Sequence, residues 1–105
     1  MRIDEIGWAD GTLIGFAFAN GNMEIQVELW DERRVVIDAK DSIHCAFASR
    51  VGDLAGILEV APPDSLLANF NEESTTFRMI SLIDDSDDII LQVVASEFSV
   101  RVPGE

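Results

Sequence analysis

The sequence predicts a mainly β fold, with α+β as the alternative class. Five to seven mostly antiparallel strands should form a strongly curved sheet or a partly closed barrel, with one short helix near 64–72. Three observations point there. MEIQVELW (23–30) alternates apolar and polar residues, the period of a strand with one wet face. Asp10-Gly11 and Asn20-Gly21 punctuate the apolar runs as turns, and the second is a strong hairpin signal. Pro62-Pro63 ends strand character, and a capping residue follows directly at Asp64 or Ser65.

Each element has its own reason. MRIDEIGW reads as a short first strand. TLIGFAFA (12–19) is the next, with Ile14, Phe16 and Phe18 as its heavier face. In 23–30, Met23, Ile25, Val27 and Leu29 face one way. Glu24, Gln26, Glu28 and Trp30 face the other. Asp31-Glu32 turns the chain into RRVVIDAK (33–40), with Val35, Ile37 and Ala39 inward. SIHCAFA (42–48) extends the meander past a bend near Asp41. Gly52 and Gly56 disfavour a helix, so VGDLAGILEV reads as a loop ending in the strand GILEV. Leu66, Leu67 and Phe70 give 64–72 one apolar side at helical spacing.

TTFRMISLI (75–83) and IILQVVASEFSVRV (89–102) close the pattern. In the second, Ile89, Leu91, Val93 and Ala95 share one parity; Phe98, Val100 and Val102 share the other. A period-2 strand cannot turn both sets inward, so a bulge or sharp bend is required near Ala95–Glu97.

The 105 residues fit one domain, 1–105, and 48% hydrophobic content is enough for a core. Twenty acidic residues against seven basic ones leave a net charge of −13. Such a surface repels nucleic acid and anionic lipid, so neither is an expected partner; a basic protein is. Cys45 is the only cysteine, so no intrachain disulfide forms, which favours a reducing compartment. The N-terminal stretch has no apolar core of a signal peptide, and no run approaches the length of a membrane helix. Cytoplasmic residence is the expectation.

Catalytic chemistry finds little footing. SLIDDSDDIILQ (81–92) gathers four aspartates, but an EF-hand begun at Asp84 would need glycine at Ile89 and glutamate at Ala95. Aspartate and serine also suit a plain turn between strands. His44 is the only histidine, and it neighbours Cys45. Adjacent strand residues point to opposite faces, so the two cannot form a nucleophilic pair. The glycines match neither a dinucleotide nor a phosphate loop. No catalytic residue, metal ligand or cofactor is expected, and the protein reads as a non-enzyme.

The run DGTLIGFAFANGNMEIQVELWDERRVVIDAKDSI resembles small uncharacterised bacterial domains, including immunity-type proteins of toxin–antitoxin neighbourhoods. The shared features are a D-G turn, three meandering strands, an L-W-D corner, and later a short helix before a two-stranded hairpin. The resemblance implies a non-enzymatic protein that blocks a partner by binding it. The expectation is thus an acidic protein-binding domain, of the immunity type, with a basic partner. A small-molecule-binding β-barrel and a self-associating domain, such as a homodimer, are the alternatives. The candidate partner-binding residues are Glu24, Glu28, Trp30, Asp84, Asp85, Asp87 and Asp88.

Overall fold

Alternation becomes structure most plainly in β2 (Asn22–Glu28) and β3 (Arg34–Lys40). In a computed structural model that describes residues 3, 6–48, 53–62 and 77–103, they pair antiparallel, with Ile25 opposite Ile37. Met23, Ile25, Val27, Val35, Ile37 and Ala39 are all buried. Each large side chain removed from water in this way contributes about 1.5–3 kcal/mol. β1 (Thr12–Ala19) pairs with β2, and β8 (Glu97–Arg101) pairs with β3, giving a sheet of order β1-β2-β3-β8.

Asn20 and Gly21 carry φ values of 55° and 81°, so this dipeptide makes the primed turn that its chemistry favours. β1 departs from the expected face. Its register slips between Leu13 and Gly15, so Ile14 is an extra, unpaired residue and is 39% exposed. Leu13, opposite Val27, takes the core place instead. One bulge thus re-aims the heavy face of the strand.

A second sheet holds β4 (His44–Phe47), β5 (Gly56–Val60), β6 (Arg78–Ile83) and β7 (Ile89–Ala95), in the order β4-β7-β6-β5. Ile80, Leu82, Leu91 and Val93 of this sheet share one apolar core with the β2 and β3 residues. The other face of the second sheet is apolar too: Phe77, Met79 and Val94 form a smaller cluster with Ile43. This explains why β6 and β7 read as near-continuous apolar runs rather than alternating ones.

The chain passes from β7 to β8 through Ser96 alone. This is the bend expected near Ala95–Glu97. One residue out of register lets Leu91 and Val93 face the core from one sheet and Val100 from the other. Ser96 donates from its N–H and its Oγ to the Lys40 carbonyl, both at 2.9 Å, which fixes the corner to the end of β3.

The two sheets cross. Thr12 pairs with Asp53, Leu54 N–H donates to the Gly11 carbonyl at 2.7 Å, and Ala55 N–H donates to Ile83 at 2.8 Å. β1 therefore begins beside the β5 edge. Four residues later the ring of Phe16 meets that of Phe47 on the β4 edge, with centroids 5.0 Å apart. Four residues of strand span about 13 Å, and three strand spacings span about 14 Å. β1 thus runs across the end of the second sheet, the geometry of orthogonal packing with a chain-switching corner.

Several expectations need correction. The described residues hold eight strands rather than five to seven. They form two packed sheets rather than one curved sheet or a partly closed barrel, because no ladder joins β1 to β4 or β8 to β5 among them. The chain leaves the first sheet after Lys40, so SIHCAFA does not extend the meander but supplies an edge of the second sheet. Among the described residues of MRIDEIGW there is no strand. Trp8 is buried instead, its Nε1 donating to the Ile3 carbonyl at 2.8 Å. The helix expected at 64–72 lies outside the described residues.

Ile14 and Ile37 separate bulge from core. Ile37→Ala should cost about 2–5 kcal/mol and Ile14→Ala under about 1 kcal/mol, measured by urea denaturation. Equal losses would contradict the assigned register.

Candidate functional site

Carboxylates on strands and carboxylates in loops live in different electrostatic surroundings. On the outer face of the first sheet, Arg101 Nε donates to Asp38 Oδ2 and its Nη2 to Glu24 Oε1, each at 2.8 Å. Hydrogen bonding to Asp38, then the charges of Asp38 and Glu24, hold the Arg101 guanidinium above its ordinary pKa. Arg34 Nε lies 3.5 Å from Glu28, and the two are cross-strand partners. Lys40 stands opposite Glu97, and Arg78 lies 3.6 Å from Glu59. Every described strand carboxylate therefore has a basic neighbour, which is the arrangement that cross-strand pairs favour.

The loops differ. Asp10, Asp31, Glu32, Asp41, Asp53, Asp84, Asp85, Asp87 and Asp88 all lie outside the strands. The only described cation in a loop is Arg33, whose Nε donates to Asp31 Oδ2 at 2.7 Å. Most of the excess negative charge of the described residues is thus held in loops, not on the sheet face.

Two of these loops are built alike. Between β2 and β3, Leu29 N–H donates to Arg33 at 2.7 Å and Glu32 N–H to Leu29 at 2.9 Å. Between β6 and β7, Asp84 N–H donates to Asp88 and Asp87 N–H to Asp84, both at 3.0 Å. Each is a three-residue hairpin loop whose last residue is left-handed: Glu32 at φ 69° and Asp87 at φ 62°. Trp30 leads the first loop and is 68% exposed, with Asp31 and Glu32 after it.

The four loop aspartates have unequal tasks. Asp84 Oδ1 accepts from the N–H groups of Ser86, at 2.9 Å, and Asp88, at 3.0 Å. Asp84 is half-buried and shapes the loop, as aspartate does at the start of many turns. Asp85, Asp87 and Asp88 are exposed. Among the described residues, no group of three or more histidine, cysteine, aspartate or glutamate side chains is placed to hold a metal ion.

The structure does not bring all the candidate residues together. Glu24 and Glu28 point away from the second sheet, because Met23, Ile25 and Val27 of the same strand point toward it. The four aspartates belong to the second sheet, at the end that β1 crosses. Trp30 sits at the tip of the β2–β3 hairpin. Sequence reasoning missed Arg101 as the group that joins Glu24 to Asp38, since its partners come from two other strands. It also treated Asp31 and Glu32 as turn formers only, although their charge flanks Trp30.

The remaining reactive groups are separate. His44 and Cys45 lie on opposite faces of β4, opposite Val94 and Val93. Cys45 is half-buried against the core, and that burial pushes its thiol above the ordinary pKa. Surface clefts among the described residues include these two. One of about 670 Å³ lies between the N-terminal segment and β5, lined by Ile3, Ile6, Trp8, Ile57, Glu59 and Phe98. The other, about 460 Å³, lies over the outer face of the first sheet near Glu24, Asp38, Lys40 and Glu97. Among the described residues, no helix is long and apolar enough to cross a membrane. Comparison with family models, curated proteins and solved structures finds no match to this chain.

The β6–β7 loop gives a direct check on these roles. Asp84→Ala should destabilise the protein by about 1 kcal/mol, while Asp85→Ala stays within about 0.5 kcal/mol. Glu32→Gly should stabilise by about 0.5–1 kcal/mol, because glycine relieves the left-handed position. Thermal and urea unfolding of the three variants tests all of this. A neutral Asp84→Ala would remove its assigned role.

Proposed function

We propose that the protein is a non-enzymatic, acidic protein-binding domain that engages a basic partner through its loops. The observation that carries the reading is the division of charge among the described residues: each strand carboxylate has a basic neighbour, and nine further carboxylates lie outside the strands, where Arg33 is the one described cation. Negative charge concentrated at exposed loops attracts a basic surface over about a Debye length, and speeds encounter more than it tightens the final complex. Exposed Trp30 supplies what charge alone does not, a large apolar anchor of the kind enriched at binding hot spots. Asp31 and Glu32 beside it suit a cationic rim around an apolar pocket on the partner.

The resemblance to immunity-type proteins of toxin systems extends the proposal. On that reading the partner is a basic toxin, held inactive by occupation of its surface. Glu24 and Glu28 take a smaller part than their sequence positions imply, since Arg101 and Arg34 already neutralise them. The main contacts then fall to Trp30, Asp85, Asp87 and Asp88.

Affinity capture from a lysate of the source cells tests this, run at about 50 mM and about 500 mM salt with the bound proteins identified. A basic protein retained at low salt and released at high salt is the expected result. Trp30→Ala and the triple change of Asp85, Asp87 and Asp88 to asparagine should each lose it, and Glu24→Gln should keep it. No partner at low salt, or equal capture by the loop variants, would contradict the proposal.

A further inference from the structure

The two sheets leave one side of the core open. β5 ends the second sheet and β8 ends the first, and no ladder joins them among the described residues. A cleft of about 670 Å³ lies there, with the N-terminal segment as its third wall. That volume falls within the roughly 300–1,000 Å³ range of sites for small organic ligands. The floor is continuous with the core: Ile6, Ile57 and Phe98 line it, pack on the main cluster and stay only half-buried. The N-terminal wall is anchored, because Trp8 is buried and its Nε1 donates to the Ile3 carbonyl at 2.8 Å.

One charged group faces this apolar floor. Glu59 lines the cleft, and no cation stands among the described residues that line it with Glu59. Arg78 lies 3.6 Å from Glu59 but is not one of those residues, and the two side chains are 42% and 40% exposed. A carboxylate accepts several hydrogen bonds, so this loose pair leaves room for a second donor. An ammonium group can thus bind Glu59 while a hydrocarbon chain covers Ile57 and Phe98. An anionic amphiphile of the same shape would meet Glu59 and a net charge of −13.

We propose that this cleft binds a small organic cation with an apolar body, of the primary alkylamine class. Glu59 holds the ammonium, and the chain takes the half-buried side chains of the floor out of water. The cleft supplies both halves of the recognition, an apolar floor and one carboxylate beside it.

The site is separate from the acidic loops, and one set of titrations distinguishes the two. Octylamine, octanoate and ethylamine are each added to about 10 mM near neutral pH, and amide and indole N–H shifts are followed by NMR. Octylamine should give saturable shifts at the Trp8 indole N–H, Ile57 and Phe98, half complete at about 1 mM. Ethylamine has the charge without the chain, and should move only signals of the loop aspartates. Octanoate has the chain with the opposite charge, and should bind about fivefold more weakly or less. Glu59→Gln should lower the octylamine affinity by a similar factor, and Glu59→Lys should reverse the preference towards octanoate. Asp85→Ala should leave both unchanged. Octylamine shifts confined to the loop aspartates, no saturable shift at Trp8, or Glu59→Gln binding octylamine as the wild type does, would each overturn the proposal.

Discussion

Ser96 sets the geometry on which the rest of the molecule depends. A strand has a side-chain period of two, so one intervening residue exchanges its faces. Here that exchange coincides with a change of sheet. Leu91, Val93 and Ala95 reach the core from one layer, and Val100 reaches it from the other. The Ser96 N–H and Oγ both bind the Lys40 carbonyl, so the corner is tied to the strand beside which β8 must lie. β8 is thereby delivered to β3 in the register that places Arg101 opposite Val36, within reach of Asp38 and Glu24. A local backbone event thus decides a long-range electrostatic one.

That delivery shapes how the molecule manages its charge. A net charge of −13 works against compaction. The sheets limit the problem by setting Arg34, Lys40, Arg78 and Arg101 among the strand carboxylates. Most of the remaining negative charge of the described residues is placed in loops, where solvent screens it best. Two of those loops spend a left-handed non-glycine residue, Glu32 and Asp87, to close a three-residue hairpin. The same separation leaves Trp30 exposed in an acidic setting and leaves β1 and β4 without charge.

Much of this fold was legible in local pattern. The alternation of 23–30 located β2 and its inner face, and Asn20-Gly21 fixed the first hairpin. The parity change after Ala95 required a break where Ser96 provides one. GILEV appeared as β5 with the bounds read from the sequence. Partition into two sheets was not legible, because pairing partners such as Phe47 with Leu91 are far apart in the chain. The bulge at Ile14 was hidden as well. TLIGFAFA is apolar at nearly every position, so its composition leaves the register undetermined. For the site, the exposure of Trp30 comes from its place in the three-residue loop rather than from strand parity, because β2 ends at Glu28. Neutralisation of Glu24 was not legible, since Arg101 becomes its neighbour only when β8 joins β3.

One core shared by both sheets, and locked at the Ser96 corner, is the central claim. Native-state hydrogen exchange measures it most directly, residue by residue along β2, β3, β6 and β7 at rising denaturant. The account predicts that the slowest amides of Ile25, Ile37, Ile80 and Val93 converge on a single opening free energy, equal to that of global unfolding. If the β2–β3 amides opened at a lower free energy than the β6–β7 amides, or the reverse, the sheets would be separate units and the account would be contradicted.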